Sequence, residues 1–174
     1  MNDCSAWLAA VSGKTHDRVD VSPPGECAMT AHADILGLMH AYCRAIDRGD
    51  FKTFGRLLRD ALWLVEGQLP DPASGQNIII YADGTPRTKH VISNIQIDVA
   101  ADGQNATAHS YVRVYQQTPA LPLCVIFAGE YFDEYDCDQG TWRLRRRDLR
   151  HPLYGDLSHH LRNPQLTFPD APVA

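Results

Sequence analysis

The sequence predicts an α+β domain in which N-terminal helices pack on one face of a curved sheet, antiparallel or mixed. Two observations carry this. Helical spacing of apolar residues is confined to residues 32–58, and four long strand-like segments separated by short turns follow between residues 88 and 150. Helices first and then a run of neighbouring strands is the order of a sheet covered on one side.

The first helix is read from Ile35, Met39, Tyr42 and Ile46, with Leu36, Leu38 and Cys43 widening the apolar stripe, and it ends near Asp47-Arg48-Gly49. Asp50 is a suitable N-cap for a second helix through Phe51, Phe54, Leu57 and Leu58. Leu62 to Val65 reads as a short strand closed by Glu66-Gly67, and the prolines, Ser and Gly of 68–76 as a loop. Ile78 to Tyr81 fits either a strand or a short helix. Asp83-Gly84-Thr85-Pro86 is a turn signal. Strands are then expected over 88–99, 105–117, 122–135 and 141–150, with hairpin turns at Asp102-Gly103 and Gln139-Gly140. Pro119 and Pro122 keep the remaining connection out of the ladder. The expected organisation is an N-terminal arm (1–30, with a short helix at Ala6 to Val11), a domain (31–162), and a C-terminal tail (163–174) extended over the surface. Asp156 is expected to cap one helical turn just before that tail.

The chain has 174 residues, enough for one hydrophobic core without disulfides or metal. With a net charge of −5 and its arginines at 143–150 interleaved with Leu144, Asp148 and Leu149, it presents no basic stripe, and nucleic acid is not an expected partner. The five cysteines are odd in number and lack CxxC spacing, which argues against a disulfide framework or zinc site. Cys43 and Cys124 read as small core residues. No apolar run approaches a membrane span. Asp3 stands where a secretory signal would carry positive charge, so a reduced cytoplasm is the expected location.

The candidate site residues are individually weak. At about 100° per residue, Asp47 lies about 140° round the helix from Tyr42, so helix geometry alone does not make them neighbours. Asp47 alone reads as a solvated helix end, and Tyr42 as a core aromatic with a satisfied hydroxyl. Alternation puts His90 on one strand face with Ile92 and Asn94, and Arg147 on one face with Arg143 and Arg145. A lone strand histidine usually has a structural role, and three arginines on one face are usually solvated, with room for one to turn into a cleft. The His159-His160 pair reads as a helix end rather than a metal site.

Taken in order, the set is more specific. Tyr42 and Asp47 precede Asp60-Ala61-Leu62-Trp63-Leu64-Val65-Glu66-Gly67, and His90 and Asn94 follow. Ala128-Gly129-Glu130-Tyr131, Gly140-Thr141-Trp142 and Arg147 complete the series. This arrangement over residues 30–162 resembles the SnoaL-like branch of the nuclear-transport-factor-two-like superfamily, which includes scytalone dehydratases, bile-acid dehydratases and the lindane dehydrochlorinase. The resemblance implies a cone-shaped α+β barrel enclosing a pocket. It implies that His90 pairs with Asp47 to take a proton from carbon. It further implies that Tyr42 hydrogen-bonds a carbonyl or leaving oxygen and that Arg147 assists leaving-group departure. Trp63, Phe127 and Tyr131 match pocket-wall positions, with His109 and Tyr111 on one face of the next strand joining Asn94 as substrate contacts. The histidine and serine–asparagine arrangement of true scytalone dehydratases is not clearly reproduced, which counts against scytalone as substrate.

The implied activity is a lyase of dehydratase or elimination type acting on a hydrophobic, cyclic or aromatic small molecule. A neutral imidazole oriented by a carboxylate is a competent base near neutral pH and needs no cofactor. No phosphate-binding glycine loop, GxSxG elbow or HExxH helix argues for one. An isomerase or polyketide cyclase would use the same parts. A non-catalytic role, like that of ring-hydroxylating dioxygenase small subunits, would use the same fold. A homo-oligomer, dimer or trimer, is expected because Val112, Val114, Ile126 and Phe132 read as an uncovered sheet face.

Overall fold

The structure, a computed structural model, describes residues 26–172. The expected short helix at Ala6 to Val11 and most of the expected N-terminal arm lie outside the described residues, whereas residues 26–30, expected in the arm, already belong to the first helix. Helix α1 spans Glu26–Asp47 and α2 spans Phe51–Leu57. Strands β1 (Leu62–Val65), β2 (Thr88–Val99), β3 (Asn105–Gln116), β4 (Cys124–Asp138) and β5 (Thr141–Tyr154) follow, then a one-turn helix α3, Pro164–Thr167. The strands form one sheet in the order β1-β5-β4-β3-β2. β1 runs parallel to β5, and every other pair is antiparallel. The result is the α+β architecture expected from the order of elements, with the cone shape that the resemblance implies. No helix among the described residues is long and apolar enough to cross a membrane.

Helix α1 buries Ile35, Met39, Tyr42, Cys43 and Ile46, the stripe read from the sequence. It ends in a Schellman motif: Asp50 N–H donates to the Ala45 carbonyl (2.9 Å) and Gly49 N–H to that of Ile46 (3.1 Å). Gly49 takes a φ of +71°, and Asp50 then caps α2 through Thr53 N–H at 3.0 Å. A Cβ at Gly49 would overlap the Gly84 carbonyl oxygen, so this helix end is docked directly on the Asp83-Gly84 turn that leads into β2.

The inner face of the sheet is divided. Towards one end, Ala31, Ile35 and Met39 pack on Ala106, Ala108, Tyr135, Trp142 and Leu144. Towards the other, Val112, Val114, Phe127, Tyr131 and Leu149 meet Leu157, Leu161, Phe168 and Ala171. The C-terminal segment is therefore not extended over the surface. It forms a turn in which Asp156 accepts from Ser158 N–H (2.9 Å), then α3, and Phe168 and Ala171 enter the core. Residues 78–81 are neither strand nor helix. Ile78 makes an isolated bridge with Leu161, and 72–76 form a 3-10 turn. Asn77 clamps the two segments, donating from Nδ2 to the Asn163 carbonyl (2.5 Å) and accepting at Oδ1 from Asn163 N–H (2.7 Å).

Of the four register shifts in the sheet, two decide which way the candidate site residues of β2 and β5 face. In β2 the register shifts between Ser93 and Gln96, where Asn94 adopts a φ of +51°. Before the bulge Thr88, His90 and Ile92 point inward, and after it Ile95, Ile97 and Val99 do. In β5 the shift opposite Glu134/Tyr135 makes Arg145 the extra residue. Trp142 and Leu144 point inward before it, Arg147 and Leu149 after it. Arg147 therefore does not share a face with Arg143 and Arg145. In β3 the buried set is Ala106, Ala108, Ser110, Val112, Val114 and Gln116. Val112, Val114 and Ile126 thus belong to the core, and of the four residues read as an uncovered face only Phe132 is exposed.

Gly49 is the position where two constraints coincide, a left-handed backbone and a carbonyl in the space of a side chain. Gly49→Ala is expected to destabilise the fold by about 2 kcal/mol or more. This would be read as a lower urea midpoint at unchanged m-value.

Candidate active site

Asp47 sits on the last turn of α1, opposite the start of β2. Its Oδ1 accepts from the Thr88 hydroxyl (2.8 Å) and pairs with His90 Nδ1 (2.7 Å), while Oδ2 accepts from His90 N–H (2.8 Å). The side chains of His90 and Asp47 are only 6% and 9% exposed. Burial by itself would raise the Asp47 carboxyl, but the hydrogen bonds and charge of His90, with Thr88, hold it below the ordinary aspartate value. An ionised carboxylate only accepts hydrogen bonds, so in the neutral His90 ring Nδ1 carries the proton and the lone pair lies on Nε2.

The His90 ring lines a cavity of about 500 Å³. Its walls come from every layer of the fold: Tyr42 and Ile46 of α1, Phe54 of α2, Trp63 of β1, Phe127 and Tyr131 of β4, and Leu157 to Phe168 of the C-terminal segment. Tyr42 stands at the centre, with ring centroids 6.4 Å from His90, 6.1 Å from Trp63 and 6.3 Å from Tyr131. Burial pushes the Tyr42 hydroxyl up to about 12, partly offset by Arg147, so it remains protonated and able to donate.

Arg147 lies behind this wall. It does not line the cavity but a smaller cleft beyond Tyr42. Its guanidinium is 4.4 Å from the Tyr42 ring centroid and 3.9 Å from that of Tyr131. It makes a two-pronged ion pair with Asp133, Nε to Oδ1 at 2.8 Å and Nη2 to Oδ2 at 2.6 Å, and the Tyr135 hydroxyl donates to the same carboxylate at 2.9 Å. Arg147 is 1% exposed and the Asp133 side chain 0%. A buried pair of this kind roughly breaks even against apolar packing, but loss of either partner strands a charge at a cost of about 3–5 kcal/mol. Asp133 was missed in the sequence. Its signal was alternation, since Tyr131, Asp133 and Tyr135 fall on one face of β4.

Three expected substrate contacts lie elsewhere. Asn94 is in the β2 bulge and exposed. His109 and Tyr111 project from the outer face of β3, where His109 Nε2 pairs with Glu130 at 2.7 Å and stacks on Phe132 at 4.6 Å. Alternation relative to Val112 and Val114 turns both away from the cavity. Trp63, Phe127 and Tyr131 are in its wall.

His160, read in the sequence as part of a helix end, is also in the wall. Burial, with the nearby His90, lowers it to about 4, against a smaller opposing effect of Asp47. Among the described residues no cluster of three or more His, Cys, Asp or Glu could hold a metal ion.

The model of the SnoaL-like domain matches residues 28–148, more than half the chain. The chain belongs to the SnoaL-like family. Solved structures share its fold. A provisionally assigned scytalone dehydratase from Novosphingobium aromaticivorans is 20% identical, covering 75% of this chain and 91% of its own, with a TM-score of 0.55. LinA is 15% identical over 74% of this chain and 92% of its own, at 0.52. The β subunit of a provisionally assigned aromatic-ring-hydroxylating dioxygenase from N. aromaticivorans is 20% identical over 76% and 94%, at 0.55. No curated protein sequence matches this chain. At these identities the likeness carries the fold, and the chemistry rests on the geometry of this SnoaL-like domain.

The two titrating groups separate by pH. Unfolded His160 takes up a proton near its ordinary 6.5, folded His160 only near 4, so stability falls as pH drops across that interval. The folded Asp47 carboxyl lies below its ordinary 3.8, so its contribution is present above 3.8 and is lost as pH falls through the folded value. His160→Gln is therefore expected to flatten the decline of the urea midpoint between pH 6.5 and about 4 while leaving the loss below 3.8 in place.

Proposed function

We propose that this SnoaL-like domain is a cofactor-independent lyase of the dehydratase or elimination type, acting on a hydrophobic cyclic small molecule. The observation that carries the reading is the Asp47–His90 pair, 2.7 Å apart and buried, opening on an aromatic-lined cavity. His90 Nε2 takes a proton from a carbon made acidic by a neighbouring carbonyl. The C–H electron pair becomes a C=C bond as the C–O bond on the adjacent carbon breaks, and the departing hydroxide takes the abstracted proton back from the His90 imidazolium to leave as water, which restores the neutral base. Asp47 stabilises the imidazolium formed, and the Tyr42 hydroxyl donates to the developing oxyanion or leaving oxygen. Arg147 is a positioning residue in this scheme. It holds Tyr42 and Tyr131 by their ring faces and reaches the reaction only through Tyr42.

An unpaired, solvated aspartate would favour the alternative of a purely structural subunit. Here the carboxylate instead spends three hydrogen bonds on orienting one cavity histidine and its strand. A homo-oligomer through the outer sheet face belongs to the same proposal, supported by exposed Val91, Tyr111, Val125, Phe132 and Leu153.

The test is a panel of cyclic β-hydroxy ketones, followed by the growth of conjugated-enone absorbance. Asp47→Asn and His90→Ala are expected to lower kcat/KM by about 10²–10⁴-fold with unchanged near-ultraviolet circular dichroism. Wild-type turnover by either folded variant would sink the acid–base assignment.

A further inference from the structure

The cavity holds a second histidine that the elimination scheme leaves unused. His160 is fixed in place by its backbone: its N–H donates to the Leu157 carbonyl (2.9 Å), and its carbonyl accepts from Ile79 N–H (2.8 Å). The preceding residue is held as firmly, because the His159 carbonyl accepts from the Tyr81 hydroxyl (2.6 Å) and from Gln116 Nε2 (3.0 Å). The ring lines the cavity that His90 also lines. Yet its Nδ1 is buried with no hydrogen-bond partner among the described residues, and no carboxylate holds the ring as Asp47 holds His90.

Nδ1 is sealed inside the wall and cannot meet a bound molecule, so the nitrogen left for the cavity is Nε2, which makes no hydrogen bond to the described residues and is placed to take a partner that arrives with the ligand. We propose that His160 hydrogen-bonds a carbonyl or hydroxyl oxygen of the bound molecule, so that the pocket selects oxygenated rings over hydrocarbon ones of the same shape. Burial and the neighbouring His90 keep the ring neutral near pH 7, with one N–H to donate and one lone pair. So weak a base does not compete with His90 for the carbon-bound proton. The division of labour follows from placement: the histidine with a carboxylate behind it abstracts, and the histidine without one recognises.

This inference rests on reading the cavity as the substrate site, and its test is a binding measurement independent of turnover. The probes are 1-tetralone and tetralin, bicyclic rings that differ by a ketone oxygen, titrated against the full chain while the Trp63 indole resonance is followed. Wild type is expected to bind the ketone about tenfold more tightly or better. His160→Phe should abolish that preference, and His160→Gln, which keeps an N–H donor, should restore part of it. Equal affinity of wild type for the two probes, or a preference that survives in His160→Phe, would overturn the assignment. If His160→Phe does not fold, the wild-type ring decides. Its ¹⁵N resonances must shift with 1-tetralone and not with tetralin, and the reverse or no shift refutes the proposal. A failed elimination assay beside an intact ketone preference would remove the lyase reading and leave this one standing.

Discussion

The whole site hangs on one carboxylate. Asp47 ties the last turn of α1 to the first residues of β2 through the Thr88 hydroxyl, the His90 backbone and the His90 ring. The same contacts that dock helix on sheet also set the tautomer of the histidine. Removing the charge would therefore loosen the helix end and misdirect the imidazole together. The Schellman turn at Gly49 and the Asp83-Gly84 turn against it fix where that carboxylate arrives.

A second buried charge system supports the opposite wall. Arg147 and Asp133 neutralise each other across paired strands β5 and β4, and the guanidinium supports the faces of Tyr42 and Tyr131. Because a half-pair would leave an uncompensated charge in the core, the arrangement is all-or-none, and it keeps the two tyrosine rings in register with Trp63. The cavity exists because α1 covers only part of the concave face. The remainder is closed by the C-terminal segment, whose Leu157, Leu161 and Phe168 form a lid of side chains.

The elements were legible in the sequence where periodicity was long and turn residues were unambiguous. The 88–99 strand and both hairpin turns fall where Gly103 and Gly140 mark them. Tyr42, Asp47 and His90 were legible as a set only through resemblance, because each has an ordinary role when read alone. What alternation could not deliver was facing. A single extra residue reverses every side chain beyond it, and the bulges at Asn94 and Arg145 do so within the two strands that carry His90 and Arg147. The placing of Asn94 in the site and of Arg147 beside Arg143 failed for that reason. His109 and Tyr111 failed for a simpler one: Val112 and Val114 are the buried set of β3, so their neighbours point outward. The C-terminal segment was misread because its anchors, Asn77 and Tyr81, lie some eighty residues away in the chain.

The central claim is that Asp47 sets His90 as a base whose lone pair is on Nε2. The most direct measurement is a long-range ¹H–¹⁵N correlation spectrum of the His90 ring near neutral pH. The account predicts the Nδ1–H tautomer, with Nε2 resonating as an unprotonated nitrogen, and loss of that preference in Asp47→Ala. A neutral ring protonated on Nε2, with Nδ1 as the bare nitrogen facing Asp47, would mean that the carboxyl carries a proton, and it would contradict the account.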